Sequence, residues 1–392
     1  MRTIPDIKGH MERLDEAINM HLVRHLVNNH TVTEMERIWF SLPARLGGLA
    51  LNIPSELCDI YYHNSKKMTE VLTEGIVNQH VPNYTPRENN SKQVKVAIQA
   101  EKTLREEEKV NYIVGFLSER QLKIFEAITE KGASSWLNAL PLKDHDFYLN
   151  KQTFWDTISL RYGIRPARLP NTCVCGASFT IEHALMCTKG GFINSRHDEI
   201  RNFTAEVLSE VCTDVAVEPM LTPLTGEKFK YKSAIKDEQA RLDVSARGVW
   251  IKGSKTFCDV RVFNPLAPTY SKQTLKSAHT SNENSKKREY GERVVNVEHG
   301  TLTPLVFSCL GGMSTQCSHF YNKISDMVAE KRNIPVSKAR TWVRTKISFS
   351  LLRSTHMCLR GSRTRRQFSE KETLADTNIS KAMADAKMEN EE

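Results

Sequence analysis

Apolar positions recur at helical spacing through the first part of the chain. Met11, Leu14, Ile18, Leu22 and Leu26 fall three or four residues apart after Pro5-Asp6, a start signal, and predict an amphipathic helix. In Glu36-Arg37-Ile38-Trp39-Phe40-Ser41-Leu42-Pro43-Ala44-Arg45-Leu46-Gly47-Gly48-Leu49 the proline and paired glycines break the pattern and predict a tight, apolar turn. Residues 80–92 are polar, hold two prolines and predict a linker. A charged helix follows over roughly 91–131, apolar mainly at Val110, Ile113, Leu117, Ile124 and Ile128, a composition suited to arching across a gap. Gly132-Ala133-Ser134-Ser135 ends it. Trp136, Phe147, Tyr148, Phe154, Trp155 and Tyr162 then mark an aromatic-rich helical region.

Farther on the period changes. Ile200, Phe203, Val207 and Val211 share one helix face, with Asn194 or Ser195 as the expected N-cap. Alternation then takes over at 241–247 and 256–263, separated by Gly248 and Gly253, and predicts two strands; 294–297 and 305–308 are shorter strand candidates. Helices over about 314–331 and 336–358 close the core. Beyond Arg360 the chain turns basic, then acidic, with little apolar content, which predicts disorder. The fold class that follows is α/β (α+β), a helical N-terminal region leading to a small mixed sheet flanked by helices.

Composition narrows the setting. The 392 residues suffice for two or three domains, and 40% hydrophobic with 26% charged content is ordinary for a soluble globular protein. A net charge of +9 favours polyanionic partners. The start, Met-Arg-Thr-Ile-Pro-Asp-Ile-Lys, lacks the apolar core of a signal peptide, and no apolar run is long enough to span a membrane. Nine unevenly spaced cysteines argue against a disulfide framework and for a reducing compartment, nucleus or cytoplasm, with some thiolates on metal.

Two groups of residues carry chemistry. Cys173, Cys175, His183 and Cys187 offer three thiolates and an imidazole in a short window, a donor set that suits a closed, structural Zn²⁺ site; His197 is a spare ligand. Buried free thiols around a core histidine are the plainer alternative. The second group is Asp243 in Arg241-Leu242-Asp243-Val244 and Asp259 in Phe257-Cys258-Asp259-Val260-Arg261. Alternation puts Asp259 and Arg261 on the face of Phe257 and Phe263, and Asp243 on that of Ser245. If the strands pair as a hairpin, the carboxylates can share a Mg²⁺ ion acting on phosphodiesters. Turn capping or pairing with a nearby arginine is the alternative.

In their order these segments resemble the C-terminal end of the polyproteins of R2-like, site-specific non-LTR retrotransposons. Ser41-Leu42-Pro43-Ala44-Arg45-Leu46-Gly47-Gly48-Leu49 is similar to the segment after the reverse-transcriptase palm. Cys173 through Arg196-His197 is similar to the Cys-Cys-His-Cys knuckle and its exit. Arg241-Leu242-Asp243, Phe257 to Pro265, and Glu298-His299-Gly300 with Thr303 to Ser308 are similar to the restriction-like nuclease core. The resemblance implies a PD-(D/E)XK fold, Mg²⁺-dependent nicking of DNA, structural zinc, and DNA, element RNA and other element-encoded protein as partners. It implies that Asp243 and Asp259 hold Mg²⁺, although Leu242 stands where the family has proline and Arg261 where it has lysine. Arginine supplies charge but does not give up its proton. Lys286, Lys287 and Tyr290 suit the lysine's role from the next helix, and Glu199 is a further candidate acid. The implied organisation is a helical post-polymerase segment (1–80), a long-helix linker and helical region (81–165), the knuckle (166–198), the nuclease (199–358) and a disordered tail (359–392). With no aromatic-x-Asp-Asp turn, the chain is expected to be a truncated copy without reverse transcription. The competing expectation is a zinc-stabilised nucleic-acid-binding protein, or an inactive relic.

Overall fold

The computed structural model describes residues 2–80 and 85–361. Helix α1 (Lys8–Ala17) continues through a π-helical stretch, Ile18–Val23, to Leu26. The buried face differs from the expected stripe: Asp15, Val23 and Val27 are buried, whereas Leu14 and Leu22 are exposed. From Ile18 onward the π turn, which holds more residues than an α turn, rotates the positions that follow it; Leu14 and Asp15 precede it. Asp15 is drawn inward because its Oδ2 accepts from Ser55 N (3.1 Å).

Helix α2 (Glu34–Ser41) opens on a capping box of Thr33 and Glu36. The expected turn follows, with Gly47 left-handed at φ 85 and Gly48 pressed against Leu42; a Cβ there would lie 1.9 Å from the Leu42 carbonyl oxygen. Helices α3 (Pro54–Val77), α4 (Thr85–Phe116), α5 (Glu119–Thr129) and α6 (Lys151–Arg161) complete the N-terminal part. The expected linker at 80–92 is only partly so: 81–84 lie outside the described residues, and 85–92 already belong to α4. The charged stretch is two helices, because Ser118 and Gln121 form a new capping box. It does not arch across a gap, since Ile113, Ile124 and Ile128 join Trp39, Phe40, Trp136 and Tyr162 in one aromatic-rich core.

Gly191, left-handed at φ 72, starts helix α7 (Phe192–Val211), earlier than the caps expected at Asn194 or Ser195. Strands β1 (Thr213–Val217), β2 (Val244–Arg247) and β3 (Lys255–Phe263) follow, then α8 (Leu275–Lys286), a π-helical Lys287–Gly291, α9 (Glu292–Asn296), β4 (Thr301–Ser308), α10 (Thr315–Arg332) and α11 (Val336–Arg360). The sheet runs β1-β2-β3-β4, antiparallel except for the parallel β3–β4 pair. The molecule is thus mixed helix and sheet. The 305–308 strand is the end of β4, but 294–297 is helical: Val294 packs inward while Val295 is exposed, and Val297 N bonds to Arg293 O (2.9 Å).

Alternation along β3 sorts its side chains as expected. Cys258 and Val260 pack with Val244, Leu305 and Phe307 against α7, α10 and α11. Phe257 meets Tyr290 and Val294, and Phe263 meets Ala278 of α8. Helix α11 serves three cores at once. Ala339, Val343, Ile347 and Leu351 lie in the sheet core, Phe349 and Leu352 in the N-terminal aromatic core, and Cys358 and Leu359 against the cysteine-rich segment. Residues 362–392, most of the expected disordered tail, lie outside the described residues.

Truncating a buried phenylalanine costs about 3–5 kcal/mol. Phe349→Ala should lower the stability measured by denaturant titration by that amount, although it lies far in sequence from the residues it packs on.

Candidate functional site

The cysteine-rich segment is built by local hydrogen bonds. Cys173 N bonds to Ala177 O and Gly176 N to Cys173 O (both 2.8 Å), folding a knuckle in which Gly176 is left-handed at φ 88. Thr180 caps a single helical turn, Ile181–Ala184, and Cys187 N bonds to His183 O (2.8 Å), which stacks Cys187 over His183. Cys173 Sγ and Cys187 Sγ are 3.8 Å apart, Cys175 Sγ and His183 Nε2 are 3.2 Å apart, and all four donor atoms lie within 4.8 Å of one another. Tetrahedral zinc with Zn–S bonds of about 2.3 Å requires sulfurs about 3.8 Å apart. The four residues therefore fit a metal ion such as zinc, as the sequence predicts. Burial opposes ionisation of Cys173, but bonds from the Cys175 backbone and from His183 and its neighbours hold its thiol down to about 6. A thiolate at neutral pH is the form that binds metal.

The segment is tied to the rest of the molecule from several sides. Arg120 bonds Glu182 (2.8 Å), while Arg360 bonds the carbonyls of Ala167 and Arg168 and both carboxylate oxygens of Asp156 (2.7 Å). Phe179, Ile181 and Leu185 pack beside Cys309, just beyond β4, and Cys358 of α11.

His197 is not part of the thiolate cluster. From the first turns of α7 its Nε2 meets Asp243 Oδ2 (3.1 Å) and its Nδ1 meets Asp198 (3.3 Å). Helix geometry explains the difference: Gly190-Gly191 turns the chain sharply away from Cys187, and α7 then runs alongside the sheet.

Asp243 lies at a bend immediately before β2. Extending the Val244↔Cys258 register one step sets it opposite Asp259. Asp243 N bonds to Cys258 O (3.2 Å), and Val260 N donates to its Oδ2 (2.6 Å), so its carboxylate is fixed beside the backbone that carries Asp259. Asp259 is only 5% exposed. Its Oδ2 lies 3.1 Å from Lys286 Nζ, which also reaches Glu289 (3.4 Å) and sits over the Tyr290 ring (5.3 Å). Burial pushes the Asp259 carboxyl up to about 6; Lys286 pulls the other way, and the Asp243 charge adds to the rise. Tyr290 is raised by burial and by Glu289, Asp259 and Asp243, so it stays neutral.

The structure therefore gathers Asp243, Asp259, Lys286 and Tyr290. Other predicted members stand apart. Arg261 turns to Asn282, its Nε 2.8 Å from Oδ1, because α8 covers its strand face there. Lys287 is half-buried and forms no ion pair among the described residues. Glu199 is not with the acidic pair: burial raises its pKa, and its partners are Ser350 and Arg353 of α11 on the other side of the sheet. Sequence reasoning missed His197's link to Asp243, and it missed Asn282 and Glu289. Helical spacing held a signal for these two, since 282, 286 and 289 recur on one face.

Among the described residues the thiolate–imidazole set is the only group of three or more metal-binding side chains that converges, and no helix is long and apolar enough to cross a membrane. No protein-family model matches the chain, and no curated protein is detectably similar to it.

Two outcomes follow. Cys187→Ser should lower bound zinc from about one ion per chain and reduce the melting temperature; unchanged stability would remove the metal's structural role. Asp259 binds its proton more tightly folded than unfolded, so its contribution to stability is greatest below about pH 4 and is lost as pH rises through about 6. The shift corresponds to about 3 kcal/mol. In denaturant melts without added magnesium, Asp259→Asn should therefore gain on the wild type by up to that amount between about pH 4 and 7.

Proposed function

We propose that this chain is a divalent-metal-dependent DNA endonuclease with a PD-(D/E)XK core, derived from the C-terminal region of an R2-like non-LTR retrotransposon. One observation carries the reading: two carboxylates from neighbouring strands, Asp243 and Asp259, stand opposite each other with the Lys286 amine on Asp259. This is an acid pair with a lysine, the set that phosphodiester hydrolysis on a small mixed sheet calls for. The lysine comes from α8 and not from the strand, where Arg261 stands.

In this reading Asp243 and Asp259 would hold Mg²⁺ or Mn²⁺, an ion that polarises a phosphodiester and lowers the pKa of water. Lys286 keeps Asp259 charged against its burial and carries a positive charge to the place where negative charge grows on the phosphate. His197 and the Val260 N–H both bond Oδ2 and hold the Asp243 carboxylate in one orientation. The thiolate cluster, with zinc, fixes the shape of the segment leading into α7 and takes no part in chemistry. DNA is the partner, and the nucleus is where the protein would meet it.

A second reading, a zinc-stabilised protein that binds nucleic acid without cutting it, is favoured by the Lys286–Asp259 ion pair, which balances the buried carboxylate without a metal. Nicking of supercoiled plasmid separates the two. Wild type should relax plasmid with Mg²⁺ or Mn²⁺, and Asp259→Ala should fall to background while keeping salt-sensitive DNA binding. Equal nicking by both, or none by either with binding intact, would leave only the second reading.

A further inference from the structure

The connection from β1 to β2 is long and has no regular secondary structure, yet it is held in place. Leu221 N bonds to Ala240 O (2.9 Å) and closes its base, three residues before Asp243. Arg293, fully buried, binds the loop from below through the carbonyls of Thr222 (3.0 Å), Ile235 (3.5 Å) and Asp237 (2.6 Å). Ile235 N bonds to Glu289 O (2.9 Å), and Lys230 N to Glu292 Oε2 (2.6 Å). The loop thus rests on the helical segment that supplies Lys286, Glu289 and Tyr290. Burying a guanidinium is costly unless its donors are satisfied, and here backbone carbonyls of the loop satisfy three bonds. Long irregular loops of this kind are uncommon in compact domains and are usually functional.

What the fixed backbone displays is basic. Lys228, Lys230, Lys232 and Lys236 are all exposed, with Tyr231 38% exposed among them. None of the four amines forms an ion pair among the described residues. Two of the loop's acids are engaged within their own turns: Glu227 with Thr225 N and Oγ1, and Asp237 with Gln239 N. A solvated charge run needs no such support from beneath.

We propose that Lys228, Lys230 and Lys232, with Tyr231, form a phosphate-backbone contact for duplex DNA, on a loop that Arg293 and Glu292 hold against the helical segment next to Lys286. The proposal rests on the nuclease reading for what the contact delivers, but not for the binding itself. Amines spaced along a rigid ridge replace the counterions of a phosphate backbone, and a tyrosine hydroxyl donates to phosphate oxygens. Such contacts set register and orientation and carry no sequence information.

The test is the salt dependence of affinity for a mixed-sequence DNA duplex, measured by fluorescence anisotropy in the full-length Asp259→Ala protein. Each phosphate contact adds about 0.9 to the slope of log K against log salt. Lys228→Gln, Lys230→Gln and Lys232→Gln combined should make that slope shallower by about 2 to 3. Lys66→Gln, Lys67→Gln and Lys95→Gln combined, which remove the same charge from α3 and α4, should leave it unchanged. Equal slopes for the two triple variants, or no duplex binding at all, overturn the proposal. If wild type nicks plasmid while the loop variant keeps its slope, the nuclease reading survives and the contact does not. If the slope changes but wild type never nicks, the contact survives and the nuclease reading does not.

Discussion

The fold depends on burying the second half of one helix on nearly all sides. Past its exposed first turns helix α11 has no wide polar face: Ala339, Val343, Ile347 and Leu351 face the sheet, Phe349 and Leu352 the aromatic core, and Cys358 and Leu359 the cysteine-rich segment. Burying a polar group is costly unless it is hydrogen-bonded, and several of the helix's buried hydroxyls are. Buried Ser354 bonds back to Ser350 O (2.8 Å), and Thr355 reaches Cys309 O (3.1 Å). At its end Arg360 meets Asp156, itself 2% exposed, whose carboxyl is held below its usual range: burial opposes this, but Arg360 and His356 overcome it. A buried charge without such a partner would cost several kcal/mol. The helical half, the sheet and the thiolate cluster are thus coupled through one element.

That coupling reaches the acidic site. Helix α8, which brings Lys286 to Asp259, is held on its other side by the helical half. Lys123 of α5 donates to the Tyr270 carbonyl (2.7 Å), Tyr270 bonds Asn282, and His279 pairs with Glu130 (2.9 Å). Arg261, two residues beyond Asp259, closes the same network by bonding Asn282. Arg261 is therefore a structural tie between β3 and α8, and the cation left for the carboxylate is the lysine. Proximity of Asp243, burial and Lys286 act on Asp259 together, and the rise to about 6 is their balance.

Much of the site is legible in the sequence. The four donors of the thiolate cluster are close in sequence, and a tight knuckle plus one helical turn suffice to converge them. Two of the strands, the faces of Phe257 and Phe263, and the last two helices follow from periods of two and 3.6. Expectation and structure differ where local pattern underdetermines structure. Beyond α1 a π turn rotates the rest of the expected stripe. Residues 294–297 carry a short apolar run that either helix or strand can accommodate; Val294–Asn296 are helical, with Val294 turned inward.

What the sequence determined by itself, then, is whatever neighbouring residues can decide together: helix and strand periods, capping boxes, glycine turns and a compact set of metal donors. Only the tertiary structure decided that His197 serves Asp243 and not the cysteines, that Glu199 faces Arg353, that Lys286 and not Arg261 reaches Asp259, and that one terminal helix lies within three cores. Each of those outcomes joins residues far apart in the chain. Side-chain type and spacing are blind to them, because burial and pairing are settled by which surfaces meet when the whole chain packs.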